Sequence, residues 1–121
     1  MEMKLELVPV PVSDVDRAID FYTNKVGFHL DHDHQVTDSL RFVQLTPPGS
    51  ACSIAMGSGI TEMKVGSQKN LQMVVKDAAA AYEMLQKNGV DASEPQDMPW
   101  GVFVHFSDPD GNTWSLQQIK R

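Results

Sequence analysis

Cysteine is almost absent from this sequence, with Cys52 the only one in 121 residues. A lone thiol excludes an internal disulfide framework and any cysteine-cluster metal centre, so it reads as a small apolar packing residue. Basic residues are also scarce, ten against sixteen acidic ones, for a net charge of −6. Binding to nucleic acid or to an anionic membrane surface needs clustered Lys and Arg, and none are clustered here. No apolar run approaches the roughly 18 residues of a membrane span. The first residues, from Met1 to Leu7, carry Glu2 and Glu6 where a secretion signal would be basic. The expectation is a cytoplasmic protein without nucleic-acid or membrane partners.

What is present is the composition of a folded domain, 41% hydrophobic and 21% charged, outside the range of disordered chains. This length holds one ordinary domain or two half-size modules sharing a core, since halves of about 60 residues are poorly stable alone. An internal repeat favours the second arrangement. Pro47 matches Pro109, Gly49 matches Gly111 and Ser53 matches Ser115, each 62 residues apart. The run Leu7 to Asp14 matches Asn70 to Asp77, 63 residues apart. Asp14 and Asp77 are placed to cap helices. Behind them Val15, Ala18, Ile19 and Tyr22, and Ala78, Ala81, Tyr82 and Leu85, recur at helical spacing, with Gly27 and Gly89 as stops.

In chain order the pattern predicts a strand over 3–10, a helix over 14–25, and strands over 28–36, 40–45 and 51–56. The glycine-bearing stretch 57–69 reads as a linker. A strand over 71–75, a helix over 77–87, a short strand over 91–98 broken by Pro95, and strands over 102–107 and 113–119 follow. The expected class is α+β, with one module over about 1–56 and a second over about 70–121, each βαβββ.

Val12-Ser-Asp14, Phe21-Tyr22, Val26-Gly27-Phe28, Asp77, Trp100-Gly101 and Asp108-Pro-Asp-Gly-Asn112 stand in the order found in the vicinal oxygen chelate superfamily, the glyoxalase, bleomycin-resistance and ring-cleaving dioxygenase group, which this chain resembles. The resemblance covers nearly the whole chain. It implies curved mixed sheets around a concave cleft, helices on the outer faces, and a homodimer. It also implies where a catalytic metal would be held: seven positions before each capping Asp, and three after the Gly-Asn turn pair or its Gly49-Ser50 counterpart. These positions are Leu7 and Asn70, and near the last strands Ser53 and Ser115. A divalent site needs roughly three ionisable or imidazole donors. Leucine offers none, and asparagine and serine are weak neutral donors, so the expectation is no metal and no cofactor.

If residues 108–112 form a five-residue hairpin loop, Ser107 faces Thr113, His105 faces Ser115 and Phe103 faces Gln117 on one side of a sheet. The candidate pocket then comprises Leu5, Leu7, Ser53, Asn70, Gln72 and Trp100, with Phe103, His105, Thr113, Ser115 and Gln117 on the hairpin. Arg41 and Val43 join by the repeat, Arg41 being either an anchor for an anionic group or a solvated residue. Trp100 serves either as a stacking platform or as rim packing. His105 is the candidate general base, or a structural or ligand-contacting residue. His32 and His34 alternate with Asp31 and Asp33, which places the carboxylates on the opposite strand face; the pair reads as a solvated strand.

Two functions fit. One is a metal-free protein that holds a small aromatic or amphipathic compound, similar to the bleomycin-resistance branch, with the acidic charge suiting a cationic ligand. The other is a lyase, isomerase or dioxygenase-like enzyme, using His105 as base or a metal at atypical positions.

Overall fold

Two aspartates open the two helices. In the computed structural model of the chain, which describes residues 1–120, Asp14 and Asp77 have extended backbone and accept hydrogen bonds from Arg17 N and Ala80 N. Each bond satisfies a first-turn amide that the helix itself leaves free. The first helix, α1 (Val15–Asp20), passes directly into a π-helical segment (Phe21–Val26) that stops at Gly27, where φ is 99°. The second, α2 (Ala78–Lys87), follows Asp77. A single α-helix was the expectation over 14–25. Phe21 and Tyr22, at the start of the widened segment, are both buried in the core.

The strands are β1 (Leu7–Pro9), β2 (His29–Thr37), β3 (Leu40–Thr46), β4 (Ser53–Ser58), β5 (Leu71–Val74), β6 (Gln96–Met98), β7 (Gly101–Ser107) and β8 (Thr113–Ile119). The order βαβββ therefore occurs twice, as the repeat predicts. Sheet one runs β1-β4-β3-β2 and sheet two β5-β8-β7-β6. In each, the first strand is parallel to the last, and the other neighbours are antiparallel. The helices lie on one side of the sheets, α1 near β4 and α2 against β7 and β8. One apolar cluster joins the halves, with Val10, Val43 and Met56 from the first half and Leu85, Val104 and Trp114 from the second.

Two strands are shorter than expected. Residues Met1 to Glu6 are exposed and lie outside the strand expected over 3–10. The strand expected over 91–98 reduces to β6 and an isolated bridge between Ala92 and Phe106; Pro95, lacking an N–H, interrupts the ladder. The linker over 57–69 is tied down. Gly66 N donates to Pro11 O (3.2 Å), Gln68 N to Asn112 Oδ1 (3.1 Å) and Thr113 N to Gln68 O (3.0 Å).

The second hairpin turn is latched onto the first helix. Tyr22 Oη donates to Asp108 Oδ2 (2.8 Å) and accepts from Trp114 Nε1 (2.9 Å). Asn112 Nδ2 donates to Asp108 Oδ2 (2.7 Å) and to Pro11 O (2.9 Å), while Asp108 Oδ1 accepts from the amides of Asp110 and Asn112. Asp110 accepts from both the amide and the hydroxyl of Ser13, and from Arg17. Burial and then the nearby Asp108 charge push the Tyr22 phenol well above its ordinary range. Among the described residues the first hairpin turn has no such latch. Pro47 to Ser50 face α2 across an apolar hollow of about 510 Å³ beside Ala81, Met84 and Leu85, and Leu85 is the repeat counterpart of Tyr22.

Candidate functional site

The loop at 108–112 spans five residues and sets the register of β7 and β8: Ser107 faces Thr113, His105 faces Ser115, Phe103 faces Gln117. These residues alternate with Val104, Phe106, Trp114 and Leu116, which are buried against the helices. The inner face of sheet two thereby carries a hollow of about 430 Å³ lined by Asn70, Gln72, Met98, Trp100, His105 and Ser115, together with Gln96 and Phe103. Its polar groups are ordered by one another. Gln72 Nε2 donates to Gln117 Oε1 (2.8 Å), Gln117 Nε2 donates to Trp100 O (3.2 Å), and His105 Nδ1 and Ser115 Oγ are 2.9 Å apart. The rings of Phe103 and His105 are nearly parallel, at 8°, with centroids 6.2 Å apart. Trp100 stands 59% exposed at the rim. A flat apolar wall, a loose indole and a few neutral hydrogen-bonding groups suit a planar organic molecule. The larger hollow near the first turn is lined by apolar residues apart from Ser50 and Gln72.

Asn70, Trp100, Phe103, His105, Ser115 and Gln117 are thus brought together. Asn70 takes a left-handed conformation (φ 59°), its amide donating to Thr113 Oγ1. The strand residue beside Ser115 is Gln72, because the first half has two more residues than the second between strand and helix cap. Gln96 and Met98 went unnoticed in the sequence, since Pro95 and the irregular run around it masked the short edge strand.

Leu7 and Ser53 pair with each other on sheet one instead. There the repeat fails for β3. Leu45 faces Ile54, three positions beyond the Ala51 that the second hairpin would imply, and an odd shift turns the strand over. Val43 is consequently buried in the core. Arg41 points to the helix side, where Nε and Nη2 reach Asp33 at 2.9 Å and Nη2 reaches Asp16 at 2.9 Å. Those two carboxylates raise the Arg41 pKa further, and the Arg41 hydrogen bond holds Asp33 below the usual carboxylate range. The structure therefore removes Arg41 and Val43 from the inner face.

The inner face of sheet one carries His29, His32 and His34, registered against Thr46, Gln44 and Phe42. β2 is exposed along its length, and the rings of His32 and His34 stack at 5.7 Å. Asp33 is on the opposite face, as alternation predicts. Asp31 is not: a register shift between Leu30 and His32 re-aims it toward the inner face, a known effect of bulges. Asp31 Oδ2 accepts from the Thr46 hydroxyl and Oδ1 from His29 Nδ1 (2.8 Å), while Thr46 Oγ1 lies 2.6 Å from Ser53 Oγ. The Thr46 bond first, then His29, lowers the Asp31 pKa.

The residues do not fit a catalytic divalent ion. Ser115 beside Gln72, and Ser53 beside Leu7, supply only neutral or apolar groups, too poor a donor set for zinc, iron or manganese. Among the described residues no three His, Cys, Asp or Glu side chains come together as a metal would need. Among them, too, no helix is long and apolar enough to cross a membrane.

A tandem βαβββ fold with capped helices and an inner-face hollow defines the class. The chain belongs to the glyoxalase/bleomycin resistance protein/dioxygenase superfamily, whose model matches residues 4–116. It is similar to the antibiotic binding protein TnmS3 from Streptomyces sp. CB03234, with 37% identity, a TM-score of 0.89 and 98% of each chain covered. A glyoxalase/bleomycin resistance protein from the same Streptomyces is 38% identical, with a TM-score of 0.84, 95% of this chain and 100% of that one covered. YetH of Bacillus subtilis (strain 168) is 32% identical over 98% of this chain and 100% of its own length.

Proposed function

We propose that this chain is a metal-independent binding protein that holds a small, planar aromatic or amphipathic compound, such as an antibiotic, against the inner face of sheet two. The observation that carries this reading is the pairing of Ser115 with Gln72 and of Ser53 with Leu7, at places where the fold would otherwise hold a metal. The likeness to a protein named for antibiotic binding supports it. His105 lends less to an enzyme reading. Its Nδ1 is engaged by Ser115, and no carboxylate hydrogen-bonds to it among the described residues. Both inner faces are open, and a second copy of the chain would cover them, completing the cleft as a homodimer.

The test is a fluorescence titration of the protein with acridine, a neutral planar aromatic, and with bleomycin. Saturable quenching of the exposed Trp100, unaltered after exhaustive chelation, is the expected outcome. Binding that vanishes on chelation and returns with a divalent ion would refute metal independence, and consumption of the compound would refute simple binding.

A further inference from the structure

Hydrogen placement on the inner face of sheet one is determined by a single carboxylate. Asp31 is acceptor-only, so His29 Nδ1 and the Thr46 hydroxyl must both donate to it. Thr46 has then spent its only hydrogen. The 2.6 Å contact between Thr46 Oγ1 and Ser53 Oγ consequently has Ser53 as donor. Every hydroxyl hydrogen in the chain Ser53, Thr46, Asp31 thus points toward the carboxylate. What the hydroxyl–carboxylate row presents to an incoming group is acceptors: the lone pairs of Ser53 and the remaining lone pairs of Asp31.

Among the described residues no lysine or arginine offsets this, and the basic groups beside Asp31 are His29, which donates to it, and His32. Arg41 is the only Lys or Arg in 29–58, and the flipped strand sends it to the helix side, onto Asp16 and Asp33. The bulge achieves the opposite for Asp31, bringing a carboxylate to the inner face that alternation alone would have turned away. Its side chain keeps 26% of its exposure, enough to be reached. A hydrated surface carboxylate gains little from a single counter-charge, but a row of aligned acceptors matches a group that bears several N–H donors and a positive charge together.

We infer that the row Ser53, Thr46, Asp31 on the inner face of sheet one is a subsite for a protonated nitrogen, an ammonium or amidinium, carried by the planar ligand. This inference rests on the small-molecule reading above, with the ligand lying between the inner faces of sheet one and of sheet two from a second copy. Asp31 supplies the charge, and Ser53 and Thr46 fix the direction of approach.

The experiment compares acridine with 9-aminoacridine, a nearly identical ring that is cationic at about pH 7.5, on the wild-type protein and on Asp31→Asn. The expected result is tighter wild-type binding of the cation by about tenfold, the usual size of one well-placed charged contact. Asp31→Asn should abolish that preference and leave acridine affinity within about twofold. A Thr46→Val variant, which leaves the charge but breaks the row, should lose about half of the preference in logarithmic terms. Equal binding of the two compounds by the wild type, or a preference that survives Asp31→Asn, would overturn the subsite while leaving the binding function standing. Failure of both compounds to bind would overturn the binding function, and the subsite with it.

Discussion

Replacing Tyr22 with phenylalanine removes one oxygen and tests the latch between the halves. Tyr22 is fully buried, and its hydroxyl both donates to Asp108 (2.8 Å) and accepts from Trp114 Nε1 (2.9 Å). The variant leaves a buried indole N–H without an acceptor and takes one donor from a buried carboxylate. Each loss costs about 1–3 kcal/mol, so the variant should be destabilised by about 3 kcal/mol, or lowered in Tm by about 10 °C. Urea unfolding followed by circular dichroism measures the difference. A second signature comes from alkali. Because the folded-state pKa of Tyr22 is raised, the folded protein keeps its phenol proton where the unfolded chain, at about pH 10, begins to lose it. The stabilisation is therefore complete below about pH 10 and declines above it, by up to about 1.4 kcal/mol per pH unit. Tyr22→Phe lacks that decline, so the two curves converge in alkali. A loss below about 0.5 kcal/mol would show that the hydroxyl contributes nothing net, and parallel curves above about pH 10 would refute the raised phenol pKa.

Other substitutions probe separate parts of the structure. A Cβ on Gly66 would meet the Asp110 carbonyl at 2.1 Å with φ at 76°, so Gly66→Ala should cost about 2–3 kcal/mol, against about 1 for Gly89→Ala, where space is open; thermal melts compare them. Asp33→Asn should lose at most about 1 kcal/mol at neutral pH, since the ion pair is partly solvated. The loss should fade as the wild type is acidified below about pH 4, because a lowered carboxylate pKa stabilises only above the unfolded value. Acridine affinity should be unmoved, Asp33 being on the helix side. Trp100→Ala should weaken acridine binding by about tenfold, read by calorimetry, if the indole stacks on the ligand; an unchanged affinity would assign it to rim packing.

The fold was legible where local chemistry repeats. The capping aspartates, the stop glycines and the Asp108-Pro-Asp-Gly-Asn112 turn each act within a few residues, so their effect could be read directly. The register of β7 against β8 followed from the loop length, and with it the cluster of Phe103, His105, Ser115 and Gln117. Positions carried over from one half to the other fared worse. Register depends on loop length to a single residue, and the first hairpin loop is longer, which sent Arg41 and Val43 to the far side. The bulge at Asp31 was equally hidden, since an inserted residue changes which way a side chain points without changing composition. Asn70 yielded its place beside Ser115 to Gln72 through a difference of two residues before the helix cap.

The unequal turns carry a consequence for how this chain could be divided. Covalent continuity through 57–65 is not what keeps the halves together, because the bonds of Asp108, Asp110 and Asn112 cross between them independently of it. Two fragments cut between Ile60 and Thr61 and co-expressed are therefore expected to reassemble. The joint would be held by a polar network at the Tyr22 end and mainly by apolar packing around the buried Leu85 at the other.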